Sequence, residues 1–458
     1  MIKRLLIANR GEIARRIIES CNRLGIETVL AVSEADQNTM PAQLADYVIC
    51  IGPAPSAASY LNVDAIVNAA LETGAQAIHP GYGFLAENAQ LSQRCHEEGL
   101  IFIGPTPGQL DAVGDKLKAR ETAVAAGLPV IPGGPAETLA EAQALAKKIA
   151  YPLLVKAVSG GGGRGMKHLE EPSQLESTLE IAMSEAQAAF GDPRIYLEHY
   201  VASGRHIEVQ ILGDGNNVIH FGDRDCSIQR RYQKLLEEAP APHLNSALRQ
   251  QMHEAAVAFA KHLNYRGLGT VELLVDIQKN TFYFLEMNAR IQVEHPVTEA
   301  LCGVDLVAEQ IAVAQGQLLT LKQSDVQLQG HAIECRINAE NWHDNFRPCP
   351  GTVERAQFPI GPGIRIDTHI QSGTSITPYY DSLLAKLIVH GDSRAQAIKR
   401  LRKALKTLNI QGVDTTASLH LAFMDDPEFN EGGFDTGFFL RFLERQQQSK
   451  QSPLKEPS

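Results

Sequence analysis

Short apolar segments alternate with amphipathic segments from residue 1 to about residue 112, and this pattern predicts strands that alternate with helices. The apolar segments cover residues 4–8, 28–32, 47–51, 77–79 and 101–103, and the amphipathic ones cover residues 11–24 and 63–71. Strands and helices in this order are typical of a doubly wound parallel sheet. A dinucleotide site would require the glycine pattern GxGxxG after the first strand, and residues 9–12 do not supply it. The sequence therefore predicts a Rossmann-like sheet that does not bind NAD.

A stricter alternation of polar and apolar side chains occupies residues 282–294. Successive side chains of an extended strand point to opposite faces, so the polar residues at even positions would share one face. They are Glu286, Asn288, Arg290, Gln292 and Glu294. Such a row is unusual on a solvated strand, where asparagine is depleted, although a water-exposed edge strand could carry the same residues. The row is a candidate functional face.

A second predicted strand, residues 270–276, precedes this row and is separated from it by a short turn. The two strands predict a hairpin that brings Glu272 near Glu286. Two carboxylates beside the Asn288 oxygen are ligands of the kind that Mg²⁺ binds. Another alternating strand, at residues 204–212, places on one face His206, Glu208 and Gln210. A lone strand histidine is more often a hydrogen-bonding residue than a catalyst.

Two other segments have features of phosphate binding. Residues 160–163 are four consecutive glycines, which allow main-chain N–H groups to wrap anionic oxygens, and Lys156 lies on the predicted strand before them. Because the lysine precedes the glycines, the segment is not a Walker A loop, and a flexible linker is the alternative. Clustered cations at residues 223–234 either supply a local positive field or form a solvated basic loop.

Composition limits the classes of function. The 458 residues, 44% of them hydrophobic and 21% charged, are typical of a globular protein of about three domains, and no apolar run is long enough to cross a membrane. The net charge of −11 excludes broad nucleic-acid binding, which requires a basic surface. The N-terminal apolar run is too short for a signal peptide, and the seven scattered cysteines form neither a disulfide framework nor a zinc motif. We therefore expect a cytoplasmic protein with reduced thiols.

The order of these motifs resembles that of the ATP-grasp biotin carboxylases, the ATP-consuming components of biotin-dependent carboxylases. The matching segments extend over nearly the whole chain and comprise residues 7–14, 80–85, 160–163, 225–231, 237–242, 286–298 and 334–340. The resemblance implies a fold of mixed α/β and α+β architecture. Its parts would be a Rossmann-like N-terminal domain at residues 1–113, an ATP-grasp domain at 114–329 with a mobile lid near 131–203, and a biotin carboxylase C-terminal domain at 330–446. Residues 447–458 are expected to form a disordered polar tail.

The resemblance also implies roles for individual residues. The ATP ligands would be Lys116 and Lys156 at the phosphates, Gly162 and Gly163 over them, Glu198, His199, Tyr200 and Val201 at the adenine, and His206, Gln229 and Tyr232 elsewhere on the nucleotide. The ligands of Mg²⁺ or Mn²⁺ would be Glu272, Glu286 and Asn288. The bicarbonate ligands would be Lys234, Arg290, Gln292 and the Val293 backbone, with Glu294 as the base. Arg336 would steady the enolate of biotin, and Tyr82 would line its pocket.

Two departures from the family pattern accompany this assignment. Tyr232 stands where the family commonly has histidine, which puts one nucleotide contact in doubt, and the serine beside the glycines is shifted to Ser159. Neither departure touches the bicarbonate residues.

The implied reaction is the ATP- and bicarbonate-dependent carboxylation of biotin on a biotin carboxyl carrier protein, through carboxyphosphate. The chain contains no Met-Lys-Met biotinylation sequence and no segment of carboxyltransferase size, so we expect the carrier and the carboxyltransferase on separate chains, and the family suggests a homodimer. The sequence leaves the final acceptor open, and we favour acetyl-CoA and hence fatty acid synthesis. One alternative is another ATP-grasp ligase that forms an acyl phosphate, against which residues 292–294 and Arg336 argue. A second is a nucleotide-binding regulatory subunit, which would lack the base or the metal carboxylates.

Overall fold

The N-terminal part of the chain forms a five-stranded parallel sheet with strand order β3-β2-β1-β4-β5, as its pattern predicts. The computed structural model describes residues 1–149, 151–158 and 166–451. The elements of this part are β1 (Arg4–Ile7), α1 (Gly11–Leu24), β2 (Glu27–Val32), α2 (Met40–Leu44), β3 (Tyr47–Cys50), α3 (Val63–Glu72), β4 (Ala77–His79), α4 (Ala89–Glu97), β5 (Ile101–Phe102) and α5 (Pro107–Gly114). Leu6 packs into a core on one face of the sheet and Leu5 and Ile7 into a core on the other, as expected for a parallel sheet covered on both faces.

The next part forms a small antiparallel sheet with strand order β6-β9-β7-β8. Its elements are α6 (Lys116–Ala125), β6 (Gly133–Ala136), α7 (Leu139–Ile149), β7 (Leu153–Ala157), β8 (Lys167–Leu169), α8 (Leu175–Phe190) and β9 (Ile195–His199). Leu153, Val155, Leu179 and Leu197 belong to a hydrophobic cluster drawn from residues 136–197 alone. This part therefore has a core of its own. The predicted glycine loop, with Gly162 and Gly163, lies outside the described residues.

The rest of the described chain forms an eight-stranded antiparallel sheet with order β14-β13-β10-β11-β12-β15-β22-β20 and three sheets of two short strands each. Its first elements are β10 (Gly204–Asp214), β11 (Val218–Arg230), β12 (Gln233–Ala239), α9 (Ser246–His262), β13 (Arg266–Asp276), β14 (Thr281–Asn288), α10 (His295–Cys302) and α11 (Leu306–Ala314). They are followed by β15 (His331–Asn338), β16 (Glu340–Asn341), β17 (Arg347–Pro348), β18 (Gly351–Thr352), β19 (Arg355–Gln357), β20 (Ile364–Thr368), β21 (Ser375–Ile376), β22 (Leu383–Gly391), α12 (Arg394–Thr407), β23 (Asn409–Gln411), α13 (Ala417–Phe423), α14 (Pro427–Glu431) and α15 (Phe438–Gln451). Because β12 pairs with β15, one sheet continues across residue 330. None of the described helices is long and apolar enough to span a membrane.

The polar row at residues 286–294 is a strand only in its first part. β14 ends at Asn288, and residues 289–294 form an irregular turn before α10. The prediction of one extended strand through Glu294 is therefore wrong. Groups distant in sequence hold the turn, because the Glu87 carboxylate accepts the Ala289 N–H at 3.0 Å and Lys386 donates to the Val293 carbonyl at 2.8 Å.

The C-terminal helix enters the predicted tail, because α15 extends to Gln451 and so includes the first residues of the segment 447–458 that was expected to be disordered. Phe438 and Phe442 are fully buried, and Arg445 pairs with Asp426 at 2.9 Å. Once these turns are packed, the following glutamines extend the helix readily. Residues 452–458 lie outside the described residues.

Candidate active site

A cleft of about 1450 Å³ lies where the small sheet, the large sheet and the loops of the N-terminal sheet meet. All the predicted site residues that the structure describes line this cleft, from Tyr82, Lys116 and Lys156 to Arg336. The loop that carries Tyr82 is held by Asn9, whose amide donates to the carbonyls of Pro80 and Tyr82 at 2.8 and 2.7 Å. Gly81 has φ +63°, and a Cβ there would lie 2.8 Å from the Asn9 amide, so this close approach requires glycine.

The Lys234 ammonium is the central cation of the cleft. Its nitrogen lies 2.7 Å from Glu208, 3.0 Å from Glu272 and 2.6 Å from Glu294. Burial disfavours the charged ammonium, but the three carboxylates outweigh it and raise the pKa of Lys234 well above its usual value. Lys234 is therefore a permanent positive charge that anchors carboxylates from β10, β13 and the turn before α10.

Glu294 is held between two cations. One carboxylate oxygen lies 2.6 Å from the Lys234 nitrogen, and the other accepts a hydrogen bond from Arg336 at 2.9 Å. Burial alone would raise the pKa of this carboxyl, but Lys234, Arg336 and the more distant Arg224 lower it well below its usual range. Glu294 is thus ionised at neutral pH, and its position is fixed on both sides.

The hairpin of β13 and β14 places Glu272 opposite Glu286, as predicted. Residues two apart on a regular strand share a face, but a bulge at Leu285 interrupts β14. Phe284 therefore packs in the hydrophobic core, whereas the Glu286 side chain faces the cleft. Lys234 and His206 lower the pKa of Glu272 against the effect of burial, whereas loss of solvent and the neighbouring Glu272 charge raise the pKa of Glu286.

A hard divalent cation fits this carboxylate pair. Two facing carboxylates whose charges repel each other are stabilised by a cation between them, and oxygen ligands suit Mg²⁺. The Asn288 amide nitrogen lies 3.4 Å from an oxygen of each carboxylate, while its oxygen accepts a hydrogen bond from Arg290. Among the described residues, two sets of possible ligands also cluster within 4.8 Å, His206–Glu208–Glu272 and Glu208–Cys226–Glu294. The Lys234 ammonium already contacts carboxylates of both sets and supplies their cation.

Arg290 and Gln292 are oriented by further polar partners. The Arg290 guanidinium pairs with Glu87 at 2.9 Å and also donates to Asn288. Gln292 donates its amide to Glu272 at 2.8 Å and accepts a hydrogen bond from Arg224 at 2.8 Å. The two side chains are therefore held in place before any ligand binds.

The side of the cleft where the nucleotide is predicted to bind is lined by residues of the small sheet and of β10 and β11. Lys156 pairs with Glu198, and the His206 ring lies 2.8 Å from Glu272 and 2.7 Å from the Gln229 amide. Burial opposes the charged imidazole, but Glu272 outweighs it and raises the pKa of His206. Tyr232 is 58% exposed at the tip of the β11–β12 hairpin and has φ +67°.

The predicted adenine segment has two of its backbone amides already engaged. His199 N–H donates to the Pro132 carbonyl and Tyr200 N–H to the Pro152 carbonyl, each at 2.9 Å. Any adenine contact from this segment must therefore use other groups, such as the side chains or carbonyl oxygens.

Sequence reasoning missed the residues that support the site from beneath. Arg224, which the sequence analysis placed among the clustered cations, is fully buried and pairs with Glu208. It also donates hydrogen bonds of 2.8 Å to the side-chain oxygens of Gln210 and Gln292. Lys386 is also fully buried and lies 3.1 Å from Glu12, which accepts the Tyr82 hydroxyl. No local sequence signal marked either residue, because Arg224 stands between two aspartates as a surface cation would and Lys386 is a single lysine in an apolar strand.

Comparisons with known proteins agree with this arrangement. Family models match three consecutive parts of the chain: the biotin carboxylase N-terminal domain at residues 1–110, the ATP-binding domain of the carbamoyl-phosphate synthase L chain at 115–322, and the biotin carboxylase C-terminal domain at 334–441. Biotin carboxylase 1 of Bacillus subtilis (strain 168) is 51% identical over 441 residues, which cover 96% of this chain and 98% of that protein.

Two solved structures share the fold and much of the sequence. The biotin carboxylase of Campylobacter jejuni in its beta-gamma-ATP complex has a TM-score of 0.92 and 45% identity, over 96% of this chain and 99% of that one. The biotin carboxylase domain dimer of Hydrogenobacter thermophilus 2-oxoglutarate carboxylase, in complex with MgADP, ADP and bicarbonate, has a TM-score of 0.90 and 46% identity over 98% of each chain. The chain is an ATP-dependent ligase and belongs to the biotin carboxylase family.

Proposed function

We propose that this chain carboxylates the biotin of a carrier protein, with ATP and bicarbonate as the other substrates and carboxyphosphate as the intermediate. The observation that carries the proposal is the position of Glu294, which is ionised and held between Lys234 and Arg336, beside the Glu272–Glu286 pair. A base, two cations for an anionic substrate and a carboxylate pair for a divalent cation thus meet in one cleft.

In the first step, Lys234, Arg290, Gln292 and the Val293 backbone orient bicarbonate, and Glu294 takes its proton. A bicarbonate oxygen then attacks the γ-phosphorus of ATP, the bond to the ADP oxygen breaks, and carboxyphosphate and ADP result. Positioning and charge neutralisation are most of what phosphoryl transfer requires. A divalent cation on Glu272 and Glu286 would add charge neutralisation at the phosphates.

Lys116, Lys156 and the glycine loop would hold the phosphates, and the small sheet would close over them as a lid. Its separate hydrophobic core supports this, because a segment packed on itself can move as one body. Closure would keep water from the carboxyphosphate.

In the second step, carboxyphosphate breaks into CO₂ and phosphate, the phosphate takes the proton of the ureido nitrogen of biotin, and that nitrogen attacks the CO₂ to give carboxybiotin. Arg336 stabilises the enolate oxygen that forms when the ureido nitrogen loses its proton, and Tyr82 lines the same cleft. The Arg336 guanidinium suits an oxyanion, because Glu237, Glu294 and Glu334 outweigh burial and raise its pKa above the usual value.

We further propose that the biotin carrier and the carboxyltransferase are separate chains, that the protein is a cytoplasmic homodimer, and that its acceptor is acetyl-CoA in fatty acid synthesis. The nearly complete overlap with Bacillus subtilis biotin carboxylase 1 supports separate partners. All seven cysteines are free thiols, which supports a reducing compartment. Assays with acetyl-CoA, propionyl-CoA, methylcrotonyl-CoA and 2-oxoglutarate, each with its own carboxyltransferase, would identify the acceptor.

The test of the proposed reaction is ATP cleavage by the purified chain with and without bicarbonate and free biotin. We expect cleavage that depends on bicarbonate, increases with biotin and yields carboxybiotin. A rate of ATP cleavage that is independent of bicarbonate but increases with another carboxylic acid would instead identify an acyl-phosphate ligase.

A further inference from the structure

Glu237 is a buried carboxylate beside the candidate active site, and no step of the proposed reaction uses it. It lies on β12 and is fully buried. One oxygen accepts a hydrogen bond from Arg336 Nε at 2.6 Å, and its other oxygen has no hydrogen-bond partner among the described residues. The Nη2 of the same guanidinium lies 2.6 Å from that Glu237 oxygen and also donates to Glu294 at 2.9 Å. Arg336 therefore stands between one carboxylate assigned to the chemistry and one without an assigned role.

The strand register explains this placement. Glu237 pairs with Glu334 across β12 and β15, and Arg336 follows two residues later, so all three side chains lie on one face of the sheet. Glu237 contacts two nitrogens of the guanidinium, Nε and Nη2, and Glu294 contacts Nη2 as well. A guanidinium held by two carboxylates keeps its orientation, whereas one held by a single carboxylate through one nitrogen can rotate away.

We propose that Glu237 is the positioning residue for Arg336: its carboxylate fixes the guanidinium against Glu294 and toward the biotin oxygen, and uptake of a proton by Glu237 releases it. The proposal rests on the biotin carboxylase reaction and adds to it a residue that acts mainly on the second step. In the first step Glu294 keeps its contact with Lys234 at 2.6 Å when Arg336 is released, so bicarbonate activation should be affected much less than biotin carboxylation.

The surroundings of Glu237 set the pH range of this effect. Burial and the Glu294 charge raise its pKa, and Arg336 and Lys234 lower it, with the pKa of Glu237 raised to about 7 as the result. The other groups near it are Glu334 and Cys335 on β15, Cys226 on β11 and, beyond Glu334, Lys386 on β22. Above this pKa the carboxylate is ionised and holds Arg336, and below it the contact weakens. Biotin carboxylation should therefore fall as the pH drops through about 7.

Glu237→Gln tests the proposal, because glutamine keeps the shape and the oxygen acceptor but removes the charge and the titration. The pH dependence of kcat for free biotin is measured from about pH 6 to about pH 8 for the parent and the variant. We expect the parent rate to fall below about pH 7, and the variant to be about 10-fold slower at about pH 8 without that fall. Bicarbonate-dependent ATP cleavage without biotin, and the KM for ATP, should change by less than about threefold.

Glu334→Gln is the matched control. Glu334 is fully buried opposite Glu237, but its carboxylate makes no hydrogen bond to Arg336 or to any other described residue. Burial raises the pKa of Glu334 well above its usual value, and because this carboxyl does not hydrogen-bond to Arg336, its replacement leaves the contact between Glu237 and Arg336 in place. The variant should keep the fall in rate below about pH 7 at the same position.

The outcomes distinguish a failure of the positioning role of Glu237 from a failure of the proposed reaction. A Glu237→Gln variant with the parent pH profile, or with undiminished biotin carboxylation, overturns the positioning role while the reaction itself stands. A parent without bicarbonate-dependent turnover refutes the proposed function instead. If Glu237→Gln does not fold, Glu237→Asp tests the proposal instead, because aspartate keeps the charge on a shorter side chain. A slower biotin carboxylation that still falls below about pH 7 supports the proposal, and a parent-like rate refutes it.

Discussion

Replacing Lys386 by methionine would remove the contact that fixes the turn before α10 to the C-terminal part of the large sheet. The Lys386 nitrogen is fully buried, donates to the Val293 carbonyl at 2.8 Å and lies 3.1 Å from Glu12. Methionine has nearly the same length and volume, so Lys386→Met removes the charge and the hydrogen bond without leaving a large cavity.

Two contributions determine the size of the effect. A hydrogen bond from a charged group stabilises by about 1.5–3 kcal/mol, and breaking a buried ion pair costs about 3–5 kcal/mol because one charge is left unpaired. Glu12 keeps its hydrogen bond from the Tyr82 hydroxyl. Asp367, which lies 3.7 Å from the Lys386 nitrogen, keeps its ion pair with Arg365 at 2.7 Å. Burial already raises the pKa of Glu12 against the effect of Lys386, so without the lysine Glu12 can take up a proton instead of remaining an unpaired anion. We therefore expect a loss of about 3 kcal/mol, at the lower end of the range.

The loss should depend on pH. In the variant the pKa of Glu12 in the folded state lies still further above its unfolded value, so the folded state binds more protons than the unfolded state, and stability falls as pH rises through the folded pKa. Lys386→Met should thus be closer to the parent at about pH 5 than at about pH 8. In addition, a loosened Val293 should raise the KM for bicarbonate by about 10-fold while the KM for ATP stays near normal.

The assay combines urea denaturation midpoints at both pH values with bicarbonate kinetics. Lys279→Met is the control, because Lys279 is exposed and pairs with Asp276 only at 3.3 Å, so its loss should change stability by less than about 1 kcal/mol. A Lys386→Met variant with the midpoint and bicarbonate KM of the parent would refute the account of this contact.

Three other predictions concern the reaction itself. Glu294→Gln should depress both bicarbonate-dependent ATP cleavage and biotin carboxylation. Arg336→Gln should lower the rate of biotin carboxylation by about 10²–10³ while the affinity for ATP stays near normal. Kinetics with and without biotin measure both effects, and a parent-like rate for either variant argues for an acyl-phosphate ligase. Lys156→Gln should weaken ATP binding by about 1.5–3 kcal/mol in calorimetry, and an unchanged affinity would exclude its role at the phosphates. Intact-mass measurement should find no covalent biotin on the purified chain, since the sequence contains no Met-Lys-Met segment, and a biotin adduct would contradict this.

The parts predicted well are those that neighbouring residues determine. The first sheet follows from local alternation, and the range of α1 agrees with its prediction at both ends. The hairpin follows from the short turn between its two strands, but the bulge at Leu285 shifts the register by one residue and so brings Glu272 opposite Glu286. The sheet and the hairpin are both specified by residues that are close together in the sequence.

Contacts between distant segments account for the rest. The turn after Asn288 has the alternation of a strand, but Glu87 and Lys386 engage its backbone from other parts of the chain. Arg224 looks like a surface cation in the sequence and is buried because carboxylate and amide groups of β10 and the turn surround it. Sequence pattern specifies which side of a strand a residue takes, but not which distant partner it meets there.

The cations of the site are already paired with carboxylates of the protein, and this pairing links proton transfer to substrate binding. Lys234 and Arg336 both hold Glu294, which lowers its pKa, and each unit of that lowering adds about 1.4 kcal/mol to the free energy of moving a proton onto it. An anionic substrate that contacts Lys234 competes with Glu294 for the ammonium and so raises the pKa of Glu294 again. Once Glu294 takes the proton it no longer neutralises Lys234 and Arg336, and their charge becomes available to the substrate dianion. We therefore propose that the base becomes effective only when bicarbonate is bound beside it, and that the proton it removes releases the two cations for the next step.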